Sequence, residues 1–218
     1  MSVSAAVRAR ADRRLVTISL MVATAMQAFD ATIANVALPQ LERSFGGNIE
    51  FGAWVMASYL CAAAVIAPLT GWFCRRYGAR LVFSGAVGCY IVASLACAVA
   101  PSAAALILFR VIQGAAGGII PPFAQATLLD TYPREQHGRM LAIWGAAAMA
   151  GPVLGPLIGG AITDLASWRW IFVINVPLGM VALCGVRSLP GNRLPREAAP
   201  FEAHSILFLI TGVAVSYT

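Results

Sequence analysis

The chain has 218 residues, of which 60% are apolar and 11% charged, and its formal net charge is +6; mean hydropathy is +0.79. A soluble domain carries charge on about a quarter of its residues, and a single core of this size cannot hide so much apolar surface. These figures exclude a soluble enzyme, a disordered tail and a disulfide-framed secreted domain, and they direct the chain to a lipid bilayer.

Residues 1–14, with Arg8, Arg10, Arg13 and Arg14, read as a cytoplasmic N-terminal tail. The apolar stretch that follows is too long for a signal-peptide core, and no A-x-A site comes after it. Six stretches are long enough to cross a hydrocarbon layer about 30 Å thick, which takes roughly 20 helical residues. They are predicted at about 15–38, 52–70, 81–100, 103–129, 140–162 and 170–188. None shows the alternation of barrel strands, which are about 10 residues long. The expected fold is therefore all-α: a polytopic membrane bundle of six transmembrane helices over 15–188, then a cytoplasmic linker over 189–203. A seventh apolar stretch runs from His204 to Thr218 and covers only roughly 22 Å at ~1.5 Å per residue. It reads as an incomplete, truncated seventh span. The expectations it raises are a piece of a longer chain, a truncated product, or a half that pairs with another polypeptide.

All fifteen basic residues are arginines. With the N-terminus inside, twelve fall in inner segments, Arg43 and Arg169 fall outside, and Arg110 lies within a span. That bias sets orientation and makes the basic balance a topology record rather than a nucleic-acid surface. The five cysteines form no C-x-x-C pair, so neither a metal site nor a disulfide framework is suggested.

Two charges sit where they are costly. Asp30 in the first span is 15 residues beyond Leu15, roughly 22 Å deep. A carboxylate near the bilayer centre costs about 2.5–3.5 kcal/mol and faces a cavity or a partner. It is either a structural carboxylate or a proton or cation site, with Gln27 one turn away on the same face. Arg110 lies about seven residues into the fourth span, at similar depth from the opposite direction. It either snorkels to the interface or faces Asp30. Arg110, Gln113, Gly114 and Gly117 fall on one helix face, which reads as a cavity wall. Pro121 and Pro122 should bend or break that helix. In the fifth span Ala147, Gly151, Gly155 and Gly159 recur every four residues, a ladder that admits close helix approach. Pro152 and Pro156 remove two donors from the same helix, which suits a moving interface between two bundles. Gly71 to Arg80, with Arg75, Arg76 and Gly78, reads as a tight inner turn. Ala67-Pro68-Leu69-Thr70-Gly71-Trp72 is echoed 88 residues later by Gly155-Pro156-Leu157-Ile158-Gly159-Gly160. Spans one to three would then repeat as spans four to six, inverted because the number per repeat is odd.

Together these segments resemble the major facilitator superfamily, and within it the fourteen-span EmrB/QacA type of drug/proton antiporter. Asp30-Ala31-Thr32-Ile33-Ala34-Asn35-Val36-Ala37-Leu38-Pro39 resembles that group's first-span motif, D-x-T-I-V-N-V-A-L-P. Gly71 to Arg80 is similar to the loop motif G-x-L-A-D-R-x-G-R-R, with Arg75 standing at the usual Asp and Ala79 at a frequent Arg. Arg110-Val111-Ile112-Gln113-Gly114 matches R-x-x-Q-G, and Gly151 to Gly160 matches G-P-x-x-G-P-x-x-G-G. Trp168 to Gly179 resembles the start of the group's sixth span.

The resemblance implies an N-terminal half-bundle of 3+3 inverted repeats in the cell membrane. It implies export of drugs or of lipophilic or cationic metabolites against inward proton flow, with no cofactor beyond the proton gradient. Asp30, Arg110 and Gln113 would handle the proton. Gln27, Asn35, Gly114 and Gly117 would border the substrate cavity. Gly151, Pro152, Gly155, Pro156, Gly159 and Gly160 would form the hinge of alternating access. Expected partners are the lipid bilayer, a small-molecule substrate and a second, C-terminal helix bundle in the same or another chain. The alternative is a non-transporting remnant or partner subunit. An intramembrane enzyme is not expected, because the two histidines, His137 and His204, both lie outside the six spans.

Overall fold

In a computed structural model of the chain, the described residues are 3–46, 49–186 and Leu189, with side chains over 12–46, 51–186 and 189. Apart from Leu189, the expected linker and seventh stretch lie outside the described residues, as do Arg187, Arg193 and Arg196.

The described residues are helical, with no strand among them. The elements are α1 (Val3–Ser44), α2 (Ile49–Ile66), α3 (Thr70–Tyr77), α4 (Ala79–Ala98), α5 (Ala103–Thr131), α6 (His137–Leu165), α7 (Trp170–Val173) and α8 (Asn175–Cys184). Five segments are long and apolar enough to cross a membrane: 12–44, 51–77, 79–98, 103–131 and 134–165. Trp170–Cys184 is a shorter apolar helix.

Three expectations need correction. The segment from Gly71 to Arg80 is not a turn throughout. Pro68 tightens residues 67–69 into a 3-10 turn, and α3 then continues the helix to Tyr77. The reversal is confined to Gly78, at φ 88° and ψ 145°, a conformation open to glycine and costly for other residues. Pro121 and Pro122 do not break α5, which runs unbroken from Ala103 to Thr131. The two prolines leave the Gly117 and Gly118 carbonyls without their helical N–H donors, and the helix continues through them. The last of the described helical segments, in contrast, is interrupted at Ile174. Pro177 has no N–H for the Val173 carbonyl, and the Phe172 carbonyl accepts instead from Ser94 Oγ at 2.8 Å.

Packing follows the inverted repeat. α1 lies against α6 and α8, α5 lies against α2 and α4, and α4 meets α8. Exchanging the first three spans for the last three maps this set of pairings onto itself. Two apolar clusters fill the interior. One holds Leu20, Met26, Tyr59, Tyr90, Ile120 and Phe123; the other holds Ile33, Leu41, Cys97, Leu106, Trp168 and Phe172. On α1, α4, α5 and α7–α8 alike, the chain passes from one cluster to the other through a short polar stretch, and those stretches meet.

Candidate functional site

The polar stretches form one layer in the middle of the bundle. α1 brings Asp30, α4 brings Ser94 and Cys97, α5 brings Arg110 and Gln113, and α8 brings Asn175; all are buried. Arg110 Nη1 donates to Asp30 Oδ2 at 2.6 Å and to Gln113 Oε1 at 2.9 Å. Asp30 Oδ1 accepts from Asn175 Nδ2 at 2.8 Å and from Gln113 Nε2 at 3.1 Å. The carboxylate thus has three donors, one of them charged. Ser94 Oγ accepts from Asn175 Nδ2 at 2.9 Å and from Gln113 Nε2 at 3.2 Å, and Cys97 Sγ donates to Gln113 Oε1 at 3.7 Å.

Arg110 is completely shielded, at 0% exposure, so it does not snorkel. Its Nε and Nη2 find no acceptor among the described residues. The guanidinium is covered by aromatic faces instead, 4.2 Å above the Tyr59 ring centroid and 5.7 Å from that of Phe172. A cation over a ring face in a desolvated site gains about 2 kcal/mol. Gln27, half-buried, donates its amide to the Tyr59 hydroxyl at 3.1 Å and extends the layer by one turn. The structure therefore brings Asp30, Arg110, Gln113 and Gln27 into one connected network.

The other sequence-derived residues lie elsewhere. Asn35 is exposed and donates back to the Ala31 carbonyl at 3.2 Å. Gly114 and Gly117 are buried in helix contacts rather than lining a cavity. A Cβ on Gly114 would strike the Tyr59 backbone, and one on Gly117 would lie 2.9 Å from both the Tyr59 hydroxyl and the Tyr90 ring. The reason is the close approach of α2 that a glycine face allows. The ladder on α6 likewise faces α1 within this bundle. Gly151 sits on Ala28, Gly155 on Thr32 and Gly159 on Ile33, which brackets Asp30 along the chain. Pro152 and Pro156 are on the exposed side of α6, and Gly160 has open space around it. Gly71, Arg75 and Arg76 are exposed on α3, while Arg80 Nε donates to the Leu189 carbonyl at 2.8 Å.

Asn175, Ser94 and Cys97 join the site without a sequence motif that assigns them to it. Depth was the available signal for two of them. Ser94 lies 15 residues from Ala79, as Asp30 lies 15 from Leu15, and Asn175 is five residues from Trp170, as Arg110 is seven from Ala103. Uncharged polar groups at the depth of a buried ion pair are its expected hydrogen-bond partners.

Residues 20–215 match the Major Facilitator Superfamily. The multidrug export protein EmrB of Haemophilus influenzae is 40% identical over 200 residues, which is 91% of this chain and 39% of that protein. The fatty acid resistance protein FarB of Neisseria gonorrhoeae is 39% identical over 167 residues, 77% of this chain and 33% of that protein. The chain thus spans about two fifths of the length of the EmrB relative or less of these proteins. Among solved structures, the inward-open xylose transporter XylE from E. coli superposes with a TM-score of 0.70 at 16% identity, covering 93% of this chain and 53% of that one. A bacterial homologue of the lysosomal transporter Spinster, in an inward-facing and unoccupied conformation, gives 0.71 at 20% identity, covering 90% and 47%. Those two likenesses concern the fold, and the family match concerns the sequence. With 3+3 packing about a buried layer and a family match over most of its length, the chain belongs to the Major Facilitator Superfamily.

Proposed function

We propose that this chain forms the N-terminal bundle of a proton-coupled antiporter that exports drugs or lipophilic or cationic metabolites by alternating access. It would sit in the cell membrane with its N-terminus in the cytoplasm, draw on the proton gradient, and use no bound cofactor and no enzymatic step. A second helix bundle, in the same or another chain, would complete the substrate cavity. The names of the sequence relatives, multidrug export and fatty acid resistance proteins, support the substrate class. The observation that carries the coupling reading is the fully buried Asp30–Arg110 pair. A carboxylate bonded by three donors from two helices, α5 and α8, cannot take a proton without rearranging those donors, and this ties a chemical event to helix contacts.

The test is Asp30→Asn in vesicles that hold the bundle together with its second half. An imposed proton gradient should no longer drive efflux of a cationic dye, while Asp30→Glu retains part of it. Undiminished gradient-driven efflux by Asp30→Asn would refute the coupling role.

A further inference from the structure

Asn175 is the neutral member of the layer whose bonding is left half used. Its side chain is wholly buried. Nδ2 donates both to Asp30 Oδ1 and to Ser94 Oγ, whereas Oδ1 has no partner among the described residues. A buried acceptor without a donor is costly, and an amide presents donor and acceptor on opposite sides of one rotatable group. Ionised Asp30 has only acceptors to offer, and the amide meets it with its donor. Protonated Asp30 gains an O–H and needs an acceptor. Around it, Arg110 and the Nε2 of Gln113 offer donors, and the Oε1 of Gln113 is already engaged by Arg110 Nη1.

We propose that Asn175 is a positioning residue for Asp30 that follows its protonation state: Nδ2 donates to the carboxylate, and after a half-turn of the amide Oδ1 accepts from the carboxyl. This rests on the reading of Asp30 as the proton site. The turn has a mechanical outlet. When Oδ1 faces Asp30 it also faces Ser94, whose hydroxyl can donate to it only by leaving the Phe172 carbonyl, which it holds at 2.8 Å. That carbonyl lies just before the α7–α8 interruption, where Pro177 already denies Val173 its helical donor. Proton arrival on α1 is thereby passed to the interruption between α7 and α8. The titratable groups that bear on Asp30 are Arg110 from α5, Tyr59 from α2, and Tyr90 and Cys97 from α4; α8 presents the uncharged Asn175.

The experiment is labelling of Asp30 by dicyclohexylcarbodiimide, which reacts with the protonated carboxyl, in the full chain reconstituted in lipid. The readout is the labelling rate at neutral pH relative to that at acidic pH. Asn175→Leu removes a donor to the ionised form, and a bond to a charged group exceeds one to a neutral group. The ratio should rise about tenfold, one pH unit of displacement. General loosening of the bundle would speed both rates equally and leave the ratio unmoved. Should Asn175→Leu not yield folded protein, Ser94→Ala, which frees the amide from its second partner, should move the ratio in the same direction. An unchanged ratio in whichever variant folds overturns the inference. Labelling of the unsubstituted chain that ignores pH overturns instead the reading of Asp30 as a proton site. pH-dependent labelling left unmoved by Asn175→Leu removes only the role of Asn175.

Discussion

Alanine at successive rungs of the α6 ladder should destabilise the bundle in a graded order set by what each new Cβ meets. At Gly151 it would overlap the carbonyl carbon and oxygen of Ala28 and lie 2.8 Å from the Ala28 Cβ. Backbone cannot rotate away, so α1 and α6 must part, and the cost lies at the upper end of the about 1–3 kcal/mol seen for overpacking. At Gly155 the obstacle is a side chain, Thr32 Oγ1 at 2.5 Å and Cβ at 2.9 Å. Thr32 can turn, giving up a hydroxyl bond to the Ala28 carbonyl that measures 2.8 Å, so the loss is about 1–2 kcal/mol. At Gly159 the nearest atom is Ile33 Cγ2 at 3.1 Å, and a shift of a few tenths of an ångström limits the loss to under about 1 kcal/mol. Gly160 has nothing within 4 Å, and alanine there should be neutral or stabilising by about 0.5–1 kcal/mol through helix entropy. Equilibrium unfolding in mixed detergent micelles, titrated with dodecyl sulfate and followed by circular dichroism, measures all four. Equal losses at Gly151 and Gly160, or a loss at Gly159 above that at Gly151, would refute the claim that the ladder is the α1–α6 seam.

Two further substitutions test separate parts of the fold by the same assay. Gly78→Ala forces a side chain into positive φ and should cost about 1–3 kcal/mol; a loss below that of a helical control with open space around it, such as Gly145→Ala, would contradict the reversal at this residue. Arg110→Leu leaves the Asp30 charge without its counter-charge and should cost about 3–5 kcal/mol, whereas Arg110→Lys keeps the charge and loses the flat contact with Tyr59, about 2 kcal/mol. Equal losses would show that charge plays no part in holding α1 to α5.

What could be read from the residues alone divides along physical lines. Asp30 and Arg110 were legible because charge is expensive in hydrocarbon, and span length converts position into depth, so two charges at one depth point to each other. The glycine ladder was legible as a packing face, but its partner was not: a small-residue stripe says that some helix comes close, and only the three-dimensional arrangement picks α1. The same limit misled at Gly114 and Gly117, which share a face with Arg110 and serve contact with α2 rather than a cavity. The segment Gly71 to Arg80 reads as a turn because glycines and arginines cluster there, yet nothing before Gly78 stops a helix once Pro68 has been passed. Ser94 and Asn175 escaped because a lone hydroxyl or amide is cheap enough in an apolar helix to carry no signal until the charge beside it is placed.

The orphaned N–H groups of Arg110 have an electrical consequence. As it stands, the interior is neutral: one positive and one negative side chain, 2.6 Å apart, in a region with no other counter-ion among the described residues. A proton added to Asp30 turns this into a site of charge +1 whose cation already has three hydrogens facing no acceptor. A dry bundle holds such a charge only at a cost of several kcal/mol. Hydration, or an acceptor carried in by another molecule, supplies what is missing, and both require the helices around Arg110 to open. If Asp30 takes up a proton, that occupancy and the tight packing around Arg110 are opposed by simple electroneutrality.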